Sequence, residues 1–266
     1  MFVWRDVGGV GFLTSTLLDV AHGFSTRVGG VSPAPFDTLN LGRAGADGRE
    51  NILENYARFC AAVGVSRDAL VFTKQVHGDS VRSVGQEQAG EGLYGVSPAC
   101  DGLITDAGGL PLAVFSADCV PVLLYDPVQN AVGAVHAGWR GTALGIVRQA
   151  VAAMRDAYGT DPADVWAAVG PSIGVCCFET RGDVPDALTA AWGALAAPHI
   201  RRDGPDRYHV DLKGLNAALL TSVGVAPERI DLCEDCTCCG PKRYFSHRRD
   251  GVRRGLQAAM ISLSRN

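Results

Sequence analysis

The chain of 266 residues is 47% hydrophobic and 20% charged. These are ordinary values for a globular protein, and the length suffices to bury a core as one large domain or two small ones. A net charge of -4, with no basic residues interleaved with aromatics, gives no support for nucleic-acid binding. The opening Met1-Phe2-Val3-Trp4-Arg5-Asp6 has no basic region ahead of an apolar core. The most apolar stretch, residues 110–125, is broken by Asp118 and Pro121 and is too short to span a bilayer, so a cytoplasmic protein without membrane contact is expected.

In chain order, the first signal is the glycine-rich run 23–32, followed by Leu39-Asn40-Leu41-Gly42; this density of turn formers reads as a structured loop. A helix is expected to start near Asp47. Asp47 and Glu50 have capping-box spacing, and Ile52, Leu53, Tyr56, Phe59, Cys60 and Val63 recur at helical period. Strands are expected at 70–73, 80–84, 112–115, 120–125 and 131–135. Asp126-Pro127 marks a turn that makes the last two a hairpin. A helix over 142–158 should bury Leu144, Val147, Val151, Met154 and Tyr158. Beyond it come a strand at 165–169, a helix at 185–195, a strand at 208–212, a helix at 215–223 and a strand within 254–263. Strands gathered in the middle with helices around them suggest α+β layers about a mixed sheet, and the lack of regular βαβ alternation argues against a Rossmann fold.

Three polar residues interrupt apolar runs: His77 in Gln75-Val76-His77-Gly78, Cys119 in Ala117-Asp118-Cys119-Val120, and His136 in Val135-His136-Ala137-Gly138-Trp139-Arg140. Two imidazoles and a thiolate are the protein ligands of a zinc ion with an open fourth position, where a substrate can be polarised. Taken singly, each residue has a plainer reading as a loop histidine, an inert buried thiol or a core histidine. An unpaired carboxylate in an apolar run is expensive, so Asp118 should have a partner or a role. Gly138-Trp139-Arg140-Gly141-Thr142 would set backbone N–H groups and a guanidinium at a helix N-terminus, an anion site. Arg27 in its glycine-rich loop would add a second cation; surface salt bridges are the plainer reading for either arginine. Zinc suits the ligand set, but copper also binds His/Cys sites and stands higher in the affinity series.

Nine cysteines without a secretion signal point to reduced thiols or metal ligands rather than disulfides. The run Cys233-Glu234-Asp235-Cys236-Thr237-Cys238-Cys239 holds one C-x-x-C but no second pair at knuckle spacing. Cys176-Cys177 would have to complete it in space, and non-ligating thiols are expected. An ordinary blue-copper laccase needs several His-x-His pairs, whereas the six histidines here form none. The H-x-E…P-C-x-x-C pattern of cytidine-type deaminases, a Walker loop, a G-x-S-x-G elbow and H-E-x-x-H are also absent.

The runs at 22–32, 39–42, 75–78, 101–106, 117–122, 135–141, Gly170-Pro171-Ser172-Ile173-Gly174 and Phe245-Ser246-His247-Arg248-Arg249-Asp250-Gly251 occur in the order of one family. The chain resembles the YfiH-type laccase-domain proteins, long labelled multicopper polyphenol oxidases, nearly end to end. The resemblance implies a single α+β domain over 1–266, similar to the fold of a cysteine-dependent toxin deamidase, with zinc on His77, Cys119 and His136. It also implies purine nucleoside chemistry: phosphorolysis of adenosine, inosine and methylthioadenosine, with adenosine deamination as a second activity. Nucleosides and phosphate are then the expected partners. Arg27 and Arg140 are expected on phosphate, Asp118 as a proton shuttle, and Asn40, Gln75, Gly138 and Ser246 at the substrate. The competing readings are a metal-free cysteine hydrolase with Cys119 and His136 as nucleophile and base, a copper-dependent phenol oxidase, and a non-catalytic partner protein.

Overall fold

The computed structural model describes residues 1–42, 47–93 and 97–265. The chain opens with an antiparallel meander of β1 (Phe2–Val7), β2 (Val10–Ser15) and β3 (Ala21–Ser25). After α1 (Arg49–Val63) come β4 (Val71–Phe72), β5 (Val81–Ser83), β6 (Gly102–Thr105) and β7 (Leu112–Ser116). The expected hairpin is formed by β8 (Val120–Asp126) and β9 (Ala131–Ala137), followed by α2 (Trp139–Leu144) and α3 (Ile146–Tyr158). The remainder is β10 (Trp166–Val169), β11 (Glu179–Thr180), α4 (Asp183–Trp192), β12 (Ile200–Arg202), β13 (Tyr208–Val210), α5 (Leu212–Ser222), β14 (Ile230–Leu232), α6 (His247–Asp250) and β15 (Gln257–Ser262). Among the described residues, no helix is long and apolar enough to cross a membrane.

The class is α+β with mixed sheets, as expected, but the strands divide between two large sheets rather than one. The first has the order β1-β2-β3-β15-β7-β4 and the second β14-β10-β8-β9-β6-β5; a small third sheet, β11-β13-β12, lies apart. The period-two alternation of side chains explains the layering. In β15, Ala259 and Ile261 join Leu112 and Val114 of β7 in a core shared with Leu123, Val132 and Ala134 of the second sheet. Their neighbours Ala258, Met260, Ala113 and Phe115 face the other way, onto Tyr56 and Phe59 of α1. In the second sheet, Val120, Val122, Val135 and Ala137 point outward onto Ile146, Val147 and Val151 of α3 and Leu215 and Leu219 of α5. The order of layers is therefore helix, sheet, sheet, helices. Strands buried on both faces read as continuous apolar runs, which is why β8 and β9 were legible. Each such Val or Leu contributes about 1.5–3 kcal/mol of burial.

Three local expectations are corrected. The glycine-rich run begins as a strand: Gly23 and Phe24 lie in β3, and a Cβ on Gly23 would sit 2.8 Å from Val63 Cγ2, so close packing rather than a turn accounts for that glycine. Gly48, not Asp47, caps α1; the buried Asp47 carboxylate instead accepts hydrogen bonds from Ser32 Oγ, Asn40 Nδ2 and Asn51 Nδ2 and anchors the loop. The single helix over 142–158 is two, because Gly145 adopts φ +82° and ends α2 in the left-handed conformation that glycine permits. Leu144 is consequently exposed while Val147, Val151 and Met154 stay buried.

Candidate active site and metal centre

The three candidate ligands come from the places where the two sheets adjoin. Cys119 sits in the turn that carries the chain from β7 in the first sheet to β8 in the second. His136 lies in β9, and His77 in the loop after β4. One ligand atom from each of the three falls within 4.8 Å of the other two; the Cys119 sulphur is 3.9 Å from His77 Nε2, and the imidazoles meet edge to face at 4.9 Å.

Asp101, just before β6, organises two of the ligands. Its fully buried carboxylate accepts the backbone N–H groups of Val76, His77 and Gly78 at 3.0, 2.9 and 2.9 Å. That wraps the loop around it and holds His77 at φ 61°, a conformation that non-glycine residues adopt only under such constraint. The same carboxylate takes Nδ1 of His136 at 2.8 Å, which fixes the tautomer and turns Nε2 towards the site, as in metal-binding histidines backed by a carboxylate. Burial raises the Asp101 pKa, but His136 and the loop N–H groups outweigh it and hold the carboxyl below its ordinary value.

The electrostatics suit a thiolate. Burial pushes the Cys119 thiol up, yet His136 and His77 beside it reverse this and bring it down to about 6. Burial lowers His136, while Cys119 and Asp101 more than compensate and raise it. Gly138 closes over the three ligands: a Cβ there would lie 2.9 Å from His77 Cδ2 and 3.2 Å from Cys119 Sγ, so only glycine fits. A thiolate and two imidazoles converging on one point match the donor set of an open-sided zinc site.

A cavity of about 440 Å³ opens beside these ligands, walled by Trp139, Arg140, Phe178, His247, Arg248 and Arg254 among others, a size typical of small-molecule sites. Arg140 stacks its guanidinium 4.2 Å from the Trp139 ring. Arg254 has a buried Nε with no hydrogen-bond partner among the described residues. Burial lowers the Arg254 pKa against the pull of Asp118, Cys119 and Asp250.

The other expected site residues are placed as follows. Asp118, at φ 93°, lines the cavity, but its carboxylate accepts from Thr237 Oγ1 at 2.6 Å, Ser246 Oγ at 3.0 Å and Arg248 N at 2.7 Å. It thereby fastens the 237–248 segment to the ligand turn, and Ser246 stands behind it. Arg27 is not among the residues lining the cavity. It pairs with Asp37 at 3.0 Å, donates to Asp37 O and Pro241 O, and covers Phe245. Gln75 brackets the backbone of Phe115, donating to its O and accepting from its N. Asn40 binds Asp47 and the N–H groups of Gly42 and Leu256. These three side chains brace the framework around the site. The helix expected to present an anion site after His136 is only the six residues of α2, so the cationic wall is made by side chains instead. Asp101, Arg248 and Arg254 were not singled out from the sequence. The only signal for Asp101 was its place in one of the family runs.

A two-sheet α+β fold with a histidine–cysteine–histidine centre at the sheet seam and an arginine-lined cavity defines a candidate metalloenzyme. Residues 21–264 match the family described as multi-copper polyphenol oxidoreductase laccase, and the chain belongs to that family. It is 36% identical over 242 residues to the purine nucleoside phosphorylase YlmD of Geobacillus stearothermophilus, covering 90% of this chain and 88% of that protein. It is 36% identical over 245 residues to the purine nucleoside phosphorylase YfiH of Escherichia coli K12, covering 92% and 94%. The crystal structure of YlmD from Geobacillus stearothermophilus superposes with a TM-score of 0.93 at 32% identity over 100% of both chains. That of the Bacillus licheniformis hypothetical protein YfiH gives 0.93 at 33% identity over 98% and 99%.

Proposed function

We propose that this protein is a zinc-dependent purine nucleoside phosphorylase. It converts adenosine, inosine and methylthioadenosine with phosphate to the free base and the ribose (or methylthioribose) 1-phosphate, and deaminates adenosine as a second activity. The observation that carries the reading is the convergence of His77, Cys119 and His136 at the edge of a cavity walled by arginines. Relatives named purine nucleoside phosphorylase, similar over nine-tenths of the chain, support it.

When bound to these three residues, zinc would supply Lewis acidity at the cavity edge. The remaining roles belong to the side chains. Arg254, Arg140 and Arg248 gather phosphate and neutralise its charge as it approaches the anomeric carbon. This role falls to Arg254 and Arg248, which line the cavity, in place of Arg27, which is not among its lining residues. Trp139 and Phe178 offer apolar faces for the purine, and His247 on the cavity wall is placed to protonate the departing base. Asp118 positions Arg248 and α6 and offsets the arginine charge; it can act as a proton shuttle in deamination once one of its three donors yields to substrate.

The test is product analysis of metal-quantified protein incubated with adenosine, with and without phosphate. Adenine and ribose 1-phosphate formed only with phosphate is the expected result, with inosine in both tubes for the deaminase. His77→Ala should lose the metal of this centre and turnover together; activity persisting with this centre empty would overturn the assignment.

One observation favours a second reading. Cys119, His136 and Asp101 lie in the order nucleophile, base and orienting carboxylate, with a lowered thiol pKa, as a cysteine hydrolase requires. Asp101 takes the third position. The second imidazole, His77, aimed at the same sulphur, has no part in such a triad and is what a metal site needs. Zinc that protects Cys119 from alkylation decides for the metal.

A further inference from the structure

Away from the His77 centre, the fold gathers four cysteines that the proposed activity does not use. Cys176 and Cys177 follow β10 in a tight turn, and Cys236 and Cys239 stand three apart in the segment after β14. Their sulphurs all lie within 4.8 Å of one another, with Cys176 to Cys239 at 3.6 Å and Cys177 to Cys239 at 3.3 Å. Four thiolates on one tetrahedral zinc, with bonds of about 2.3 Å, stand about 3.8 Å apart along each edge. The four sulphurs are therefore gathered to within a small adjustment of that arrangement, although 58 residues separate the two pairs in sequence.

The surroundings support a thiolate centre. The N–H of Gly174 donates to Cys236 Sγ at 3.2 Å, the kind of outer hydrogen bond that steadies a metal-bound sulphur. Gly174 has to be small, because a Cβ there would lie 3.3 Å from Cys176 Sγ and 3.2 Å from Cys236 Cβ. Three cations hold carbonyls of the two loops: Arg248 that of Cys177, Arg249 those of Thr237 and Cys238, and Lys213 those of Cys233 and Asp235. Four thiolates and one divalent ion carry a net double negative charge, which these cations offset.

The geometry points to a second metal site, a structural tetrathiolate zinc on Cys176, Cys177, Cys236 and Cys239, which clips the loop after β10 to the segment ahead of α6. An all-sulphur tetrahedron selects zinc or iron, and four sulphurs this close fit one ion rather than a multinuclear cluster. The site shares no ligand with the His77 centre. The clip borders the cavity: Ile173 and Phe178, on either side of Cys176-Cys177, line it, and Thr237, next to Cys236, holds Asp118. Fixing these loops keeps that wall in place.

The experiment uses the full chain with His77→Ala in the background, so that only the second site can hold metal, together with Cys239→Ser and Cys239→His in the same background. Zinc is measured by elemental analysis and by its release to a chromogenic chelator as a mercurial titrates the thiols. The expected result is one zinc per chain, set free as the four cysteines react, lost in Cys239→Ser and retained in Cys239→His, since imidazole can replace a thiolate. Cobalt loading should give intense thiolate-to-metal charge-transfer bands that vanish with Cys239→Ser. The proposal is overturned by a zinc-free His77→Ala protein, by zinc content that Cys239→Ser leaves unchanged, by iron in place of zinc, or by a disulfide among these cysteines in freshly isolated protein. Because the wild-type activity assay is separate, failure of the phosphorylase reading leaves this result unaffected.

Discussion

Asp101→Asn is the substitution that bears most directly on how the centre is built. The carboxylate serves four donors: Oδ1 takes His77 N and His136 Nδ1, and Oδ2 takes Val76 N and Gly78 N. An asparagine keeps the shape but replaces one oxygen by an NH2 that faces two donors. If its oxygen stays with His77 and His136, the N–H groups of Val76 and Gly78 lose their acceptor. A buried donor left unpaired costs about 1–3 kcal/mol. Both bonds are only partly buried, so the lower half of the summed range applies: about 2–4 kcal/mol of stability. The metal should suffer separately, because the ring orientation of His136 and the strained backbone of His77 both depend on this group; an outer-shell loss of this kind weakens binding by about 10–100-fold. Chelator competition gives the affinity and urea unfolding of the metal-stripped protein gives the stability. Zinc affinity unchanged to within about threefold, alongside a measurable loss of stability, would refute the view that Asp101 prearranges the ligands.

Gly138→Ala should fold and yet lose the metal of the His77 centre, because the new methyl group meets the His77 ring and the Cys119 sulphur; a variant with the wild-type metal content would show that the ligands can move aside. Arg254→Ala should raise the KM for phosphate by about tenfold or more, the loss expected for a charge-assisted hydrogen bond worth about 1.5–3 kcal/mol. Arg27→Lys should leave that KM within about twofold, since the Arg27 guanidinium is held by Asp37 and Pro241; the reverse ranking would return phosphate to Arg27. In metal-stripped protein, iodoacetamide should alkylate Cys119 at a rate that stays high as the pH falls and drops only through about 6, whereas an ordinary thiol loses reactivity from about 8.5 downward. A rate falling by tenfold between pH 8 and 7 would contradict the imidazole stabilisation. Burial raises the Asp47 carboxyl, but hydrogen bonds from Ser32, Asn40 and Asn51 outweigh it and hold it below its ordinary value. Its contribution is thus complete above the unfolded carboxylate range of about 4 and is lost as pH falls through the lowered value. Asp47→Asn should flatten the acid limb of a Tm-against-pH curve, and an unaltered limb would remove Asp47 as its source.

The parts of the fold legible in the sequence were those with a strong local period. The apolar runs of β8 and β9 and the spaced Val147, Val151 and Met154 declare themselves because burial fixes each position. The strands of the opening meander passed unnoticed because β1 leaves Arg5, Asp6 and Val7 exposed and β3 carries His22 and a glycine. The three candidate metal ligands were legible as breaks in apolar patterns. Asp101 was not, because a carboxylate that serves a loop 24 residues earlier and a histidine 35 residues later leaves no local trace. Arg27, Asn40 and Gln75 drew notice as polar residues beside glycine-rich or histidine-bearing runs; each spends its hydrogen bonds on the backbone or side chains around it. The cysteine pairs show the same limit, since nothing in their spacing announces that a turn after β10 meets a segment beyond β14.

The position of Cys119, where the chain steps from one sheet to the other, would make a metal held there a gauge of the distance between them. His77 hangs from the strand end of the first sheet and His136 belongs to the second, so an ion on all three bridges the sandwich at one end. Any slippage of the layers alters the bite of the ligands before it alters the fold. Substitutions deep in the shared core, at Leu123 or Val114 for instance, would then be felt first as a change in how tightly the ion is held, well away from the chemistry itself.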